Sequence, residues 1–416
     1  MGNYFNKTPP PPMVLVPPLF DFPPLAARYR MIESSYNVLF GKLALKCLFE
    51  EYFEKAGQFT TKIMLKSIED PNIDMIAMVS RNMLDQETIS NAIFRWQRDP
   101  DHPNTFMDLY VSNSNPILQL RSCGFNSKYG IGIFGSLPVI MRKRTSTEDF
   151  GILGLRYGST NLSCGIIVKP FAAQDEMPKN AWLVTKMGRL TVGVQFDPNY
   201  EVSDNTKYDD MRNWSAAVGY DVGSGSPLSP SFNISMELEK GSKFVASFYQ
   251  HAVVQRRVKN PLEKSEIIGI TNYIDFGFEL QSRVDDSNKS DSTFRVGGAW
   301  QANKNILVKG YLGPMCSSLG VAFKSWWNPS FTFNVAVNWD RVKGKAAYGC
   351  GLRVENIREA SYQRADPNYV LLTPSKQHLA QGTQWHVDEH PMLQSDLDAG
   401  NFEALPKELR PLSNVL

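Results

Sequence analysis

The first group of residues whose spacing could support chemistry is a glycine motif. Gly130, Gly132 and Gly135 satisfy the G-x-G-x-x-G pattern of a dinucleotide-binding turn. That pattern holds a pyrophosphate only where a strand ends and a helix begins. Here the segment YGIGIFGSLPV alternates like a strand and reaches Pro138 without opening a helix. We therefore predict that no cofactor binds this segment.

Histidines and cysteines give no stronger case for catalysis or metal binding. His386, Asp388 and His390 would share one face of a helix, but they lie in a polar segment ending in proline, where a solvated role is the simpler interpretation. No Ser, His and acid arrangement can be assembled around His102 or His251, which we interpret as pore or loop residues. The cysteines are odd in number and scattered, which disfavours a disulfide framework and a zinc site. The sequence predicts no enzymatic activity, no metal and no cofactor.

The dominant pattern in the chain is strict alternation of apolar residues with polar or small ones. The clearest block is FTFNVAVNW, at 331–339. Every second residue of this block, from the first to the last, is large and apolar, namely Phe331, Phe333, Val335, Val337 and Trp339. A side-chain period of two is that of a β-strand with one apolar face. The segments between such blocks are rich in Gly, Pro, Asn and Asp, which predicts that consecutive strands form hairpins.

These blocks recur from Gln58 to Glu355, and their number and length indicate the fold class. They give about nineteen candidate strands, most of them of about ten residues, as in a membrane barrel. Aromatic residues stand at strand ends, as at Trp300, Trp339 and the pair Trp326 and Trp327, where a barrel carries its interfacial girdle. The longest apolar run is far shorter than a membrane helix needs. We predict an all-β fold, a transmembrane β-barrel of mainly antiparallel strands, with a soluble all-β protein as the alternative.

Changes in composition divide the chain into four segments. Residues 1–33 are a proline-rich arm, 34–56 an amphipathic helix, 57–356 the barrel, and 357–416 a soluble polar tail. The helix is predicted from apolar residues three or four positions apart, with Ser34 or Ser35 as the N-cap. Such a helix either caps a globular core or lies inside or across a barrel mouth.

If the apolar residues of each strand face lipid, the residues that alternate with them line an aqueous pore. Its basic residues are Lys62, Lys66, Arg156, Arg189, Arg295, Lys309, Lys324 and Arg353. The opposing acids are Asp221, Glu237, Glu239, Asp275 and Glu279. A small positive excess favours anions in a confined channel. We predict a weakly anion-preferring path, although each of these residues could equally be a solvated strand position without effect on selectivity.

The last predicted strand resembles a known family of barrels. Two glycines followed by two hydrophobic residues, Gly349, Gly351, Leu352 and Val354, are similar to the sorting signal of mitochondrial barrels. The blocks from Thr293 onward are arranged like the end of the voltage-dependent anion channel (VDAC) family, and the whole chain resembles a plant-type mitochondrial outer-membrane porin distantly related to it. The resemblance implies insertion by the outer-membrane barrel assembly machinery and residence in the mitochondrial outer membrane. The plastid outer envelope is the alternative location.

Three functional classes follow from these features. The first is a porin-like channel whose partners are the lipid bilayer and small anionic metabolites. The second is a protein-import-type pore, which an acidic lumen would favour. The third is a non-conducting barrel that acts as a membrane anchor or tether, with the arm and the tail docking protein partners. A formal net charge of +2 gives no indication of nucleic-acid binding.

Overall fold

The computed structural model describes most of the barrel region and parts of both ends. The described residues are 13–16, 20, 31–55, 57–83, 87–99, 104–142, 151–170, 179–198, 211–223, 228–259, 266–283, 292–325, 329–356 and 370–371. The predicted girdle pair Trp326 and Trp327 and the His386 to His390 group lie outside them, as does most of the predicted arm and tail.

Nineteen strands form one closed barrel, which confirms the predicted fold class. They are β2 Gln58–Lys66, β3 Ile73–Asn82, β4 Thr88–Gln97, β5 Phe106–Ser112, β6 Leu118–Asn126, β7 Ile131–Ile140, β8 Ile152–Gly158, β9 Leu162–Val168, β10 Asn180–Met187, β11 Leu190–Phe196, β12 Trp214–Val222, β13 Ser231–Glu239, β14 Lys243–Lys259, β15 Glu266–Arg283, β16 Thr293–Gln301, β17 Ile306–Leu312, β18 Cys316–Ser325, β19 Ser330–Asp340 and β20 Lys345–Glu355. A short 3₁₀ helix, Met211–Asn213, precedes β12.

Consecutive barrel strands are antiparallel, and the barrel closes through one parallel pair. Because the number of strands is odd, the first and last strands run in the same direction. Accordingly β2 pairs with β20 in parallel, from Phe59 opposite Cys350 to Met64 opposite Glu355. Closure leaves no open sheet edge in the wall. We call the rim at which the even-numbered barrel strands end rim B, and the opposite one rim A.

The two faces of the wall carry opposite chemistry. The outer face holds large apolar side chains, including Phe294, Phe331 and the end-of-strand Trp300 and Trp339, both 48% exposed. The inner face holds buried polar residues such as Thr332, between the outward Phe331 and Phe333. Soluble proteins show the reverse arrangement. The alternation seen in the sequence therefore separates an apolar exterior from a polar interior.

Residues 31–55, which we call the inner segment, lie inside the barrel and contain two helices. The single helix predicted over 34–56 is divided into α1 Ser35–Val38 and α2 Lys42–Glu50. The chain turns between them because Phe40 and Gly41 adopt positive φ angles of 60° and 73°. A Cβ at Gly41 would lie 2.5 Å from Asn233 Oδ1 of the wall, so glycine is required there. No helix among the described residues is long and apolar enough to cross a bilayer.

One hairpin is longer than the wall. Strands β14 and β15 pair with each other up to Lys259 and Glu266, but with their barrel neighbours only as far as His251 and Tyr273. The hairpin therefore projects beyond rim B, after a register shift between Val254 and Gln255.

Two short strands from the ends of the chain pair outside rim B. Strand β1, Met13–Val16 in the predicted arm, pairs in parallel with residues 267–269 of the projecting hairpin. Strand β21, Val370–Leu371 in the predicted tail, pairs with β1. The described parts of the arm and the tail outside the wall thus lie at the same rim.

Candidate functional site

The inner wall carries most of the basic residues that the sequence assigns to the pore. Arg156, Arg295, Lys309, Lys324 and Arg353 contact the inner segment, Phe20 or inner-wall side chains. Lys62 lies opposite Arg353 in the β2–β20 register and is on the same face of the wall. Lys66, four residues later in β2, is on that face as well. Their effect on ion selectivity remains a prediction.

Arg189 is placed differently. It lies exposed in the tight turn between β10 and β11, at rim B, and is not part of the strand wall. In the sequence block RLTVGVQF, Arg189 alternates with the apolar residues and is therefore assigned to the pore-lining set. The structure places the charge at the barrel mouth because the hairpin turns at Gly188, whose φ is +62°.

Three of the basic side chains bind the inner segment directly. Arg156 Nη2 donates to Ser35 Oγ at 2.7 Å, and Arg353 Nη1 donates to Tyr52 Oη at 3.1 Å. Lys309 Nζ donates to the Cys47 carbonyl oxygen at 2.6 Å, near the C-terminal end of α2, where a positive charge also favours the helix dipole. These bases position the inner segment as well as contributing charge to the lumen.

Other basic residues form ion pairs along the wall. Arg295 lies 3.0 Å from Glu279, and Lys324 contacts Glu355 with both side chains buried. Lys42 of α2 lies 2.8 Å from Glu237. Pairing reduces the electric field that each of these charges produces inside the barrel. The positive excess in the lumen is therefore smaller in effect than a count of charges suggests.

A row of charges on β2 to β6 was missed in the sequence. Neighbouring strands place Lys66, Asp74, Arg95, Asp108 and Arg121 side by side, so that the sign alternates across five strands. Arg95 and Asp108 are 3% and 0% exposed and form two hydrogen bonds of 2.6 Å. The available signal was alternation, which is clearest at Arg95, between Phe94 and Trp96, and at Asp108, between Met107 and Leu109.

The inner segment rests on inward-facing glycines of the wall. A Cβ at Gly297 would lie 2.9 Å from the Phe49 ring, and one at Gly193 would lie 2.8 Å from the Phe40 ring. At Gly349 it would lie 2.6 Å from the Lys55 carbonyl oxygen. The wall lacks side chains where the segment makes its closest approach.

The glycines of the predicted sorting signal therefore have a packing role in the folded barrel. Gly349 and Gly351 face Glu54 and Lys55 of the inner segment, while Leu352 and Val354 continue strand β20 next to β19. The sorting role of these four residues remains a prediction.

Aromatic packing fixes the first part of the inner segment. Tyr36 and Phe40 form a buried cluster with Phe134 and Trp182 of the wall. Burial raises the pKa of Tyr36 well above the ordinary value of tyrosine, and the nearby Glu237 carboxylate adds to this effect. The phenol therefore stays neutral at physiological pH, which suits its apolar surroundings.

A cavity of about 550 Å³ remains beside the inner segment, against strands β11 to β16. Both signs of charge line it, and the charged residues include Lys42, Lys46, Lys243, Arg295, Glu50, Glu237, Glu239 and Glu279. The interior next to the inner segment is therefore a polar, mixed-charge space. His251, interpreted as a pore or loop residue, lies on the same wall near rim B with Nδ1 2.6 Å from Asp275 Oδ1.

Comparison with known proteins does not assign this chain to a family. No protein-family model matches this chain. No curated protein matches it either.

Proposed function

We propose that this protein is a porin-like channel of an outer membrane, passing small solutes with a weak preference for anions. The observation that carries the proposal is the closed barrel whose exposed face is apolar and whose interior is polar and charged. A barrel of this strand number is wide enough to leave an aqueous path.

The outer face supports the membrane part of the proposal. Large apolar side chains are exposed on strand after strand, and soluble proteins rarely expose continuous apolar surface of this extent. A bilayer removes that surface from water, and a closed barrel leaves no backbone group unpaired in hydrocarbon. The outward Trp300 and Trp339 stand at strand ends, where aromatic side chains meet the membrane interface.

The weak anion preference rests on the inner charges. Lys62 and Lys66 on the inner face of β2 and Arg121 on that of β6 belong to an inner wall on which basic residues outnumber acidic ones in the predicted pore-lining set. A modest excess in a wide, hydrated pore shifts selectivity slightly and does not exclude cations. We expect small carboxylates and phosphates to pass more readily than cations of similar size.

Location follows from the resemblance at β20. We propose the mitochondrial outer membrane, with insertion by its barrel assembly machinery, and the plastid outer envelope as the alternative. Import of radiolabelled protein into isolated mitochondria and plastids tests this choice. Recovery of folded, alkali-resistant protein from mitochondria alone supports the proposal. Integration into plastids alone contradicts it.

A flux experiment tests the channel proposal. Liposomes containing the refolded protein should swell in isosmotic solutions of small sugars and carboxylates, and should not swell in a large dextran. Empty liposomes and liposomes with heat-aggregated protein are the controls. Absence of swelling with protein that resists alkaline extraction would contradict conduction while leaving the membrane barrel intact.

A tether is the second candidate, and one observation favours it. Strands β1 and β21 bring the arm and the tail together on the hairpin that projects from rim B, outside the wall. Deletion of residues 357–416 separates the two functions. A channel keeps its solute flux after the deletion, whereas a tether loses its bound partner.

A further inference from the structure

Phe20 of the arm is buried inside the barrel at rim B. Phe20 is only 2% exposed, and its ring packs edge-on to Tyr52 with ring centroids 5.7 Å apart. Ala299, Leu307 and Ala322 belong to the same buried cluster. Small inward residues at 299 and 322 leave room for the phenylalanine ring.

The wall also binds the backbone of this residue. Gln301 Oε1 accepts a hydrogen bond from the Phe20 amide N–H at 2.9 Å, and Lys324 Nζ donates one to the Phe20 carbonyl oxygen at 3.0 Å. Both backbone groups of one residue are thus satisfied by wall side chains. A buried backbone group needs such a partner, and here the wall supplies both partners in the way that a peptide-binding site holds the main chain of its ligand.

The groups that bind Phe20 are held in place by the barrel. Lys324 contacts Glu355 on the neighbouring even strand, and Ser330 Oγ donates to Glu355 Oε1 at 3.3 Å. Gln301, Lys324 and Glu355 are each at least nine-tenths buried at the rim B ends of β16, β18 and β20. We call Tyr52, Gln301, Lys324 and Glu355 the rim B socket.

A second contact of the arm ends five residues before Phe20, at Leu15. Residues 13–15 pair in parallel with residues 267–269 of the projecting hairpin. Five residues of extended chain span at most about 18 Å, so both contacts lie within reach of one short segment of the arm. Strand addition followed by an anchored side chain is a recurring mode of peptide recognition.

We propose that the rim B socket and the projecting hairpin form a peptide-binding site for an extended apolar segment that ends in phenylalanine. Its occupant in this protein is residues 13–20 of the same chain. Because occupant and site are covalently linked, the arm competes with any added peptide at a high effective concentration. The site opens to a peptide in trans when Phe20 is lost from the arm.

Fluorescence anisotropy with a labelled peptide of residues 13–20 tests the proposal on the full-length protein in detergent. We expect the peptide to bind the Phe20→Ala protein about tenfold more tightly than wild type, whose own arm fills the socket. Gln301→Leu in the Phe20→Ala background should reduce this binding several-fold. A peptide with alanine in place of phenylalanine should not bind.

The matched control is Tyr129→Ala, which removes an aromatic residue that is 63% exposed in a turn at the same rim and should exclude the peptide as wild type does. Circular dichroism verifies that each variant keeps its β-structure. Equal binding to wild type and Phe20→Ala, equal binding of the alanine peptide, or no binding to folded Phe20→Ala protein would each overturn the proposal. The measurement does not require conduction, so its failure is distinguishable from failure of the channel proposal.

Discussion

Lys309 of strand β17 donates a hydrogen bond from Nζ to the backbone carbonyl oxygen of Cys47, at 2.6 Å, and so ties the barrel wall to the C-terminal end of α2. The lysine side chain is buried between the wall and the inner segment. A pore-facing base thus has a structural role in addition to its charge.

Lys309→Met should loosen α2 from the wall. A buried hydrogen bond from a charged donor contributes about 1.5 to 3 kcal/mol, so amide exchange over residues 42–50 should accelerate about tenfold or more in the variant. Hydrogen exchange followed by mass spectrometry measures this. Lys343→Met, in the exposed turn after β19, is the control and should leave the exchange of α2 unchanged. Unchanged protection in Lys309→Met would show that the bond does not hold the segment.

Gly349→Ala should destabilise the docked inner segment. The added methyl group would meet the backbone oxygens of Lys55 and Glu54 at 2.6 and 2.7 Å, and backbone cannot move aside as cheaply as a side-chain tip. Overpacking of this kind costs about 1 to 3 kcal/mol in the free energy of unfolding. Denaturant unfolding of refolded protein, in the absence of import machinery, isolates this packing effect from any sorting effect.

Gly124→Ala is the control for that substitution. Gly124 is also a strand glycine, but a Cβ there would have no neighbour within 4 Å. Its stability should match wild type within about 0.5 kcal/mol, as is usual for surface substitutions. Equal loss of stability in both variants would mean that the cost arises from strand propensity and not from contact with the inner segment.

The Arg95 and Asp108 pair should depend on both partners. Asp108→Asn removes the carboxylate to which the buried Arg95 donates two hydrogen bonds, and breaking a buried ion pair on one side costs about 3 to 5 kcal/mol. The double variant Arg95→Met with Asp108→Leu should cost less than Asp108→Asn, because it removes the buried guanidinium together with the carboxylate that it binds. Denaturant unfolding in detergent provides both values.

The control for the buried pair is Glu239→Gln, which breaks the more exposed contact with Lys243 on the same inner wall. Exposed pairs contribute about 0 to 1 kcal/mol. Similar losses for Asp108→Asn and Glu239→Gln would show that the row of charges on β2 to β6 is solvated and not a stabilising network.

Charge reversal at Lys66 should reduce the anion preference. Lys66 is the first member of the alternating row of charges on the inner face, whereas Arg81 lies on the outer face of β3. Lys66→Glu should move the reversal potential toward cations, and Arg81→Glu should move it less. An equal shift for the two variants would argue against a pore that is lined by the inner phase of the strands.

The sequence predicts the two faces of the barrel wall well, because the alternation of side chains along a strand depends only on the order of neighbouring residues. Phe331 and Thr332 are assigned to opposite faces by alternation alone, and the structure places them there. The division of the predicted helix could not be foreseen, since the backbone at Phe40 and Gly41 fits against Asn233, far away in the chain.

Pairing between charges also lies beyond local pattern. Arg95 faces Asp108 because of the register of β4 against β5, and a one-residue slip would separate them. The same holds for Lys324 and Glu355, which meet only after the barrel has closed. Alternation in the sequence predicts which face of the wall a charged residue lies on. The register of neighbouring strands determines which residue it pairs with, and therefore its electrostatic effect inside the barrel.

Single-channel recording of the refolded protein in a planar bilayer, with the reversal potential taken in a salt gradient, tests the central claim most directly. The proposed channel predicts discrete conductance steps and a reversal potential displaced slightly toward that of the anion. Folded protein that inserts, resists alkaline extraction and shows no conductance would contradict the channel and leave the tether as the better function.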